Sequence, residues 1–439
     1  MKPLYLAVVA CTIVSAGCVK DLRYRYFDNQ SCGSGDCVNL PAREAGPGWE
    51  LAYAEFKDDG SAWDPLQTER AVELIQKAKA DNDGAAVVLL YVHGWKNNAN
   101  AAPPFAIKDV EKFKVALNRV ATIVSRLKQG DRLPPLVGIY IGWRGASVTV
   151  EPVETLTFWP RRATARRVGR SALFESVGRI VDAAKTSADD RTRLILVGHS
   201  FGSRVLENAV DGLDAQGKKP GRMLEWQQAL RAEPGAISPP PPADLVLFVN
   251  AATQSSISEK TIHRLQEKGT VFYGPGGSLE SCKDDPTGER KAACRPLPLY
   301  LAISSTGDAA TRYVLPIANS LIPPGPLPLR LRSAAFTGRL RSHEAVEVDC
   351  PPPVPYRCQP SGALEFCFEA NRDDERVCYQ LRRKTSAANQ TPFWVMTVDP
   401  RVVADHGDIW NQNLLDLFAA VLERSRAADV SATRVMMQR

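Results

Sequence analysis

The sequence lacks several features that would define its class at once. Beyond residue 17, no stretch reaches the ~18 consecutive apolar residues of a membrane-spanning helix. The charge is nearly balanced, with a net value of +6, so the strong, clustered basic excess of a nucleic-acid-binding protein is missing. Histidine is scarce, with five in 439 residues. Hydrophobic residues at 44% and charged residues at 24% are ordinary for globular proteins and exclude collagen-like, coiled-coil and wholly disordered chains.

The N-terminus carries the pattern of an export signal. Lys2 precedes an apolar run over Leu4–Val14, which is too short to cross a bilayer. The run leads into the small residues at 15–17 and then Cys18, which resembles the lipobox of bacterial lipoproteins, although that family prefers leucine where Ser15 stands. The resemblance implies removal of residues 1–17 as a signal peptide, lipidation of Cys18 and a membrane anchor in the cell envelope. A conventional signal peptide with secretion of the mature chain is the alternative.

The cysteine count agrees with export. Of ten cysteines, Cys11 lies in the apolar run and Cys18 would carry the lipid, which leaves eight. An even number in an exported chain predicts disulfides, and the spacing contains no CxxC, so a structural zinc site is the weaker interpretation. Sequence proximity favours the pairs 32–37 and 282–294, whereas the last four cysteines allow three connectivities. The eight candidates are Cys32, Cys37, Cys282, Cys294, Cys350, Cys358, Cys367 and Cys378.

Predicted strands and helices alternate along most of the chain. Strand patterns occur at 50–56, 85–92, 136–143, 193–197, 244–249, 297–304 and 393–398. Helical patterns occur at 64–82, 105–128, 171–185, 201–213, 258–268, 309–321 and 409–424. Most of the strand patterns are continuous apolar runs, which are typical of strands buried on both faces. The alternation predicts an α/β fold with a mostly parallel central sheet and helices on both of its faces.

Three stretches interrupt this alternation, at 145–170, 234–242 and 322–391. The first contains Phe158, Trp159 and five arginines. It could cover an active site as a cap, where it would meet an acyl chain beside an anionic head group, or a membrane surface. The alternative is a solvated basic loop with its two aromatic residues in the core. The predicted organisation is an N-terminal arm at 18–48, a core at 49–329 with the cap at 145–170, a disulfide-stapled insertion at 330–392 and a C-terminal part of the core at 393–439.

A G-x-S-x-G motif at 198–202 is centred on Ser200 and lies between a predicted strand and a predicted helix. A nucleophile on such a sharp turn needs small residues two positions to either side, because larger side chains would collide with the neighbouring backbone. The bare motif arises readily by chance, but the strand before it and the helix after it make it specific. It predicts that Ser200 is a nucleophile.

A second motif, His93-Gly94-Trp95, follows the predicted buried strand at 85–92. An enzyme that transfers acyl groups must stabilise an oxyanion, and preorganised backbone N–H groups in a dry site do this well. On its own, the motif fits equally a tight turn that contains a hydrogen-bonded histidine.

The two motifs together resemble the α/β-hydrolase superfamily. Within it, the chain is similar to bacterial serine hydrolases that combine a His-Gly-aromatic segment followed by asparagines, a strand ending in tryptophan (here Trp143) and Gly-His-Ser-x-Gly. The resemblance implies an oxyanion hole formed by the backbone amides of Trp95 and Phe201. It also implies that an acid and then a histidine follow the nucleophile along the chain. It covers residues 50–215, 244–322 and 393–424.

The implied order selects the remaining members of a triad. Asp308 is the only carboxylate at the end of the predicted strand at 297–304, where it would also suit a helix N-cap. His406 follows the last predicted strand and stands where the family places the general base. Its neighbours Asp405 and Asp408 are predicted to be loop or capping residues. The other four histidines fall in the two motifs, in a predicted helix and in the insertion, at His93, His199, His263 and His343.

The predicted function is therefore cleavage of carboxylic esters by a serine hydrolase of the esterase or lipase type. His406 would activate Ser200, Asp308 would orient the imidazole, and water would release the acyl-enzyme. The predicted substrate is a small-molecule or lipid ester, and the mechanism requires no metal or cofactor. The alternative is an envelope lipoprotein that uses the hydrolase scaffold, or its cysteine-rich insertion, for binding with little or no catalysis.

Overall fold

The computed structural model describes most of the chain between residues 20 and 421, in the following ranges. These are 20–32, 38–100, 107–126, 134–146, 157–185, 191–230, 240–268, 298–320, 331–349, 366–372, 375–384, 388–389, 391–419 and 421. The predicted signal peptide and the lipidation site Cys18 lie outside these ranges. So do five of the disulfide candidates, namely Cys37, Cys282, Cys294, Cys350 and Cys358.

Thirteen strands are present in the described residues. They are β1 (Arg25–Tyr26), β2 (Leu40–Pro41), β3 (Arg43–Gly46), β4 (Trp49–Phe56), β5 (Val87–Val92), β6 (Leu136–Trp143), β7 (Arg193–His199), β8 (Leu245–Val249), β9 (Tyr300–Ser305), β10 (His343–Val348), β11 (Phe366–Arg372), β12 (Glu375–Arg383) and β13 (Phe393–Val398). The predicted bounds of β6 and β13 agree with the structure. The other predicted strands of the core are displaced by only a few residues.

The central sheet has eight strands in the order β13-β9-β8-β7-β5-β6-β4-β3. Every neighbouring pair is parallel except β3 and β4, which form an antiparallel hairpin. The predicted α/β architecture with a mostly parallel sheet is confirmed. Strand β3 belongs to the stretch that the sequence analysis treated as an N-terminal arm.

Helices pack on both faces of this sheet. The labelled helices are α1 (Pro65–Ala80), α2 (Ile107–Arg126), α3 (Phe158–Arg170), α4 (Ala172–Ala184), α5 (Phe201–Asp211), α6 (Arg222–Ala229), α7 (Ser255–Glu267) and α8 (Leu315–Ser320), and residues 412–419 are also helical. Alternate residues of β5 enter opposite cores: Val88 and Leu90 pack with α1 and α4, whereas Leu89 and Tyr91 pack with α2. This period of two explains why the strands read as continuous apolar runs.

The basic stretch at 158–170 differs from the prediction of a solvated loop. It forms helix α3, whose Phe158 is buried, and it packs against α5. Arg161 is also buried and forms a two-pronged ion pair with Asp58, with both N–O distances at 2.8 Å. The loop prediction was wrong here because that ion pair and the packing on α5 connect residues far apart in sequence. The cap prediction for the whole stretch at 145–170 stays a prediction, since residues 147–156 lie outside the described ranges.

The stretch predicted to be a disulfide-stapled insertion contains a second, antiparallel sheet in the order β10-β12-β11. It adjoins the central sheet at β13, where the Ser342 amide donates to the Val395 carbonyl at 2.9 Å. Cys32 and Cys378 each take part in a disulfide. Cys367 lies in β11, but its side chain is outside the description. The pairing of the eight cysteines stays a prediction.

Candidate active site

Ser200 occupies the turn between β7 and α5 with a strained backbone. Its φ and ψ are 53° and −122°, which is unusual for a residue with a side chain. The turn requires glycine on both sides. A Cβ at Gly198 would lie 2.6 Å from the Ser203 Cα, and one at Gly202 would lie 2.1 Å from the Val92 carbonyl oxygen. Close packing of Gly198 against the first turn of α5, and of Gly202 against the end of β5, therefore explains the G-x-S-x-G spacing.

The three residues predicted as a triad lie within hydrogen-bonding distance of one another. His406 Nε2 is 2.8 Å from Ser200 Oγ. His406 Nδ1 is 3.0 Å from each carboxylate oxygen of Asp308. The Asp308 side chain is completely buried, whereas that of His406 is 31% exposed. The fold thus brings together Ser200, Asp308 and His406, which lie about one hundred to two hundred residues apart along the chain.

The charge state of Asp308 determines the direction of these hydrogen bonds. Burial tends to raise its pKa, but hydrogen bonding and charge interaction with His406, together with two hydrogen bonds from Thr311, outweigh it and hold the pKa below the ordinary value. A carboxylate can only accept, so Nδ1 of a neutral His406 carries the proton. Its Nε2 is then free to accept a hydrogen bond from the Ser200 hydroxyl. The Asp308 carboxylate also accepts from the Thr311 amide at 3.1 Å, in the first turn of the helical segment that follows.

Two buried side chains hold the main chain of His406. Asn250 Nδ2 donates to the carbonyl oxygens of Asp405 and His406, both at 3.1 Å. His199 Nε2 donates to the His406 carbonyl at 2.7 Å. Burial, followed by the neighbouring His406, lowers the pKa of His199 to about 3, so this imidazole is neutral at pH 7. Asn250 was not among the residues predicted from the sequence, where its one signal is a polar residue directly after a buried strand.

His93 stabilises a tight turn through hydrogen bonds of its imidazole, which is the alternative role that the sequence allowed for this motif. The Trp143 amide donates to His93 Nε2 at 3.1 Å, so the proton is on Nδ1, which donates to the Gly94 carbonyl at 2.9 Å. Burial lowers the pKa of His93 to about 4 and keeps the ring neutral. The imidazole also stacks on the Trp143 indole at 5.6 Å. These contacts fix the turn that leads into Trp95.

The predicted oxyanion-hole residues lie on the two segments that meet beside Ser200. A Cβ at Gly94 would lie 2.8 Å from the Ser200 Cβ, so the turn before Trp95 approaches the serine closely. The rings of Trp95 and Phe201 are 6.1 Å apart, and both contact Phe158. Within the described residues, no acceptor is seen for the backbone amide of either Trp95 or Phe201.

The remaining aspartates and histidines of the predicted motifs and loops have structural contacts. Asp405 accepts from the Gly407 amide at 2.8 Å and Asp408 from the Ala404 amide at 2.9 Å, so both stabilise the loop as predicted. His343 stacks on Trp394 at 3.9 Å, and His263 lies in α7.

In the described part of the chain, no group of three or more His, Cys, Asp or Glu could hold a metal ion. None of the helices within it has the length and apolarity to cross a membrane.

Comparison with known proteins adds little to this description. No protein-family model matches the chain, and no curated protein matches its sequence. Among solved structures, phospholipase PlaB from Legionella pneumophila is similar over 69% of this chain, at 13% sequence identity and a TM-score of 0.24. The matched region spans 51% of that protein, which is about half its length. A similarity at this level carries no argument about function.

Proposed function

We propose that this protein is a serine hydrolase that cleaves carboxylic esters through an acyl-enzyme intermediate. The proposal rests on one observation, the continuous line of hydrogen bonds from Asp308 through His406 to Ser200. A buried carboxylate, a neutral imidazole with an available Nε2 and a hydroxyl on a strained turn are the groups that nucleophilic acyl transfer needs.

Each residue has a defined part in the proposed reaction. His406 Nε2 accepts the Ser200 proton while the oxygen attacks the ester carbonyl carbon, and the resulting imidazolium is stabilised by the Asp308 carboxylate. The backbone amides of Trp95 and Phe201 donate to the oxyanion. The imidazolium then protonates the leaving alcohol, and the same histidine activates a water molecule that releases the acid.

Covalent labelling with a fluorophosphonate probe tests the nucleophile directly. We expect the folded protein to be labelled and the Ser200→Ala variant to remain unlabelled. The matched control is Ser320→Ala, which removes an exposed serine whose hydroxyl donates to the Ile317 carbonyl, and this variant should label like the wild type. Equal labelling of wild type and Ser200→Ala would refute the assignment. No labelling of folded wild-type protein would favour the binding lipoprotein instead.

We also propose that the mature protein is held in the bacterial cell envelope by a lipid on Cys18. The proposal is supported by the apolar run that ends in small residues before this cysteine. Metabolic labelling with a fatty-acid analogue should label the wild type and fail with Cys18→Ser. Cys11→Ser is the control, because Cys11 belongs to the segment that would be removed. Release of unlabelled wild-type protein into the medium would instead support secretion.

A further inference from the structure

A strongly basic surface pocket lies beside the helix that carries Ser200. Its volume is about 650 Å³. Its lining includes Trp159 and four arginines of α3, together with Arg204 of α5. Five arginines line it, and none of the described lining residues is acidic. Arg204 follows Ser200 by four residues, so the pocket lies about one helical turn from the candidate nucleophile, but none of the triad residues lines it.

The α3 arginines are spaced unfavourably for an isolated helix. Arg162, Arg166 and Arg170 follow one another at intervals of four residues and therefore share one helix face. Like charges at this spacing repel and destabilise a helix. Arg170 donates to the carbonyls of Leu213 and Asp214, which are neutral acceptors. No carboxylate in the described structure pairs with Arg162 or Arg166, so this face keeps a net positive charge.

Arg204 adds a buried cation to the same pocket. Only 8% of this residue is exposed, and its Nε and Nη1 have no hydrogen-bond partner in the described structure. Burial, reinforced by Arg162 and Arg166, lowers the pKa of Arg204 to about 10. The neighbouring carboxyl of Glu207 does not offset this charge at pH 7, since burial and Asp211 raise its pKa to about 8. A buried cation without a partner is costly and creates a strong positive field.

We propose that this pocket binds an anion of the phosphate type, with Arg204 as the buried anchor and Arg162 and Arg166 as additional donors. Guanidinium groups suit phosphate because their planar N–H donors form paired, charge-assisted hydrogen bonds with its oxygens. A bound phosphate would relieve the repulsion along α3 and satisfy the two free donors of Arg204. The site does not depend on the proposed hydrolase activity, and its ligand is either a soluble phosphate compound or a phospholipid head group.

Calorimetric titration of the full-length folded protein with inorganic phosphate tests the site, with sodium chloride at matched ionic strength as the reference. We expect binding in the millimolar range or tighter, and at least about tenfold weaker binding in both Arg204→Gln and Arg166→Gln, because each substitution removes a charge-assisted donor. The control is Arg222→Gln, since Arg222 on α6 pairs with Asp182 and Glu225 and lies outside the pocket. Absence of phosphate binding, or equal weakening in the control, would overturn the proposal.

Two further results distinguish the loss of a phosphate-binding side chain from misfolding of the variant. Arg166 is exposed, so its replacement leaves the core intact and reports on the charge alone. Without phosphate, Arg204→Gln should unfold at the same temperature as the wild type or a higher one, because it removes an unpaired buried charge. If Arg204→Gln unfolds at a much lower temperature while Arg166→Gln binds phosphate normally, the arginines are structural and the proposal fails.

Vesicles distinguish the two sources of the anion. Glycerol phosphate in solution is compared with vesicles of phosphatidic acid in phosphatidylcholine, and with phosphatidylcholine alone. Arginine-dependent binding of glycerol phosphate without vesicle binding supports a soluble ligand. Arginine-dependent binding of the acidic vesicles supports a lipid head group. Vesicle binding that is unchanged in Arg204→Gln and Arg166→Gln assigns the membrane contact to another surface and counts against the pocket.

Discussion

The side-chain amide of Asn250 donates a hydrogen bond to the main-chain carbonyl of His406 across 3.1 Å. The same side chain accepts from the Ser305 amide at 3.0 Å. Asn250 therefore joins the end of β9, which leads to Asp308, to the loop that carries the histidine. Its φ of 46° lies in the left-handed region, which asparagine tolerates better than most residues. The position of His406 relative to Ser200 thus depends on a residue that bonds to the main chain of His406 and not to its imidazole.

Replacing Asn250 with aspartate tests this positioning role. A carboxylate has the same shape but cannot donate to the His406 carbonyl, so we expect kcat for a small ester to fall about 10- to 100-fold through misplacement of the imidazole. KM should change little, because the expected effect is on the position of the imidazole and not on substrate binding. Asn250→Gly, which keeps the left-handed backbone and removes the amide, should show a similar loss of kcat. Wild-type kcat in both variants would exclude the role.

Asp308→Asn tests the acid of the proposed triad. The amide can no longer hold the proton on His406 Nδ1 or stabilise the imidazolium, so kcat should fall by about 10³- to 10⁴-fold. The matched control is Asp405→Asn, next to the histidine, where only a loop hydrogen bond to Gly407 is altered. Steady-state hydrolysis of a chromogenic ester measures both. A comparable loss in the two variants would point to general disturbance of the loop.

Gly202→Ala tests the close approach of the serine turn to β5. The added Cβ would meet the carbonyl oxygens of Val92 and His93 at 2.1 and 2.5 Å, so the free energy of unfolding should fall by about 1–3 kcal/mol. Gly178→Ala in α4 is the control. Its Cβ would meet only Arg222 Nε at 4.0 Å, and a better helix former should raise the same free energy by about 0.5–1 kcal/mol. Urea unfolding compares the two, and equal stability would contradict the packing described here.

Glu207→Gln tests the buried carboxyl behind the serine helix. Burial and the charge of Asp211 raise the pKa of Glu207 to about 8 in the folded protein, against about 4.3 in an unfolded chain. Between these values the folded state holds the extra proton, so the Glu207 contribution to the free energy of unfolding decreases as pH rises from 5 to 8. The stability of the variant relative to wild type should therefore increase over that range.

Urea titrations at a series of pH values measure this difference. The control is Glu73→Gln, since Glu73 is exposed on the surface of α1 and pairs there with Arg70. The free energy of unfolding of this variant relative to wild type should not change with pH. The comparison removes the contribution of the buried histidines, which is common to both proteins. A relative stability that stays flat over this range, as in the control, would show that the pKa of Glu207 is not raised in the folded state.

The sequence predicted the central sheet well because its strands are buried on both faces. Continuous apolar runs mark β6 and β13 unambiguously, and glycine at 198 and 202 is required by contacts that any such turn must make. The candidates Ser200, Asp308 and His406 followed from strand ends, from the scarcity of histidine and from the family resemblance. The structure brings the three together, and the labelling experiment tests their catalytic role.

Helix α3 and Asn250 could not be predicted in the same way. The arginines of α3 repel one another locally, and the helix depends on long-range contacts such as the Arg161–Asp58 ion pair. Asn250 acts on a carbonyl group 156 residues away. The antiparallel sheet β10-β12-β11 was also missed, because proline and cysteine dominate the surrounding sequence. In each case the decisive interaction joins segments that sequence periodicity treats separately.

The two edge strands of the central sheet, β3 and β13, affect the tendency of the protein to associate with itself at high concentration. Strand β3 at one margin has only four residues, and its Arg43 pairs with Glu50 across the hairpin. At the other edge, Ser342 bonds to β13 at Val395, whose amide donates to the Ser342 hydroxyl and whose carbonyl accepts from the Ser342 amide. A short charged border and a covered one both discourage an incoming strand from extending the sheet. Fibrous self-association through the sheet is therefore disfavoured by the architecture itself, and such association would require β13 to lose its neighbour first.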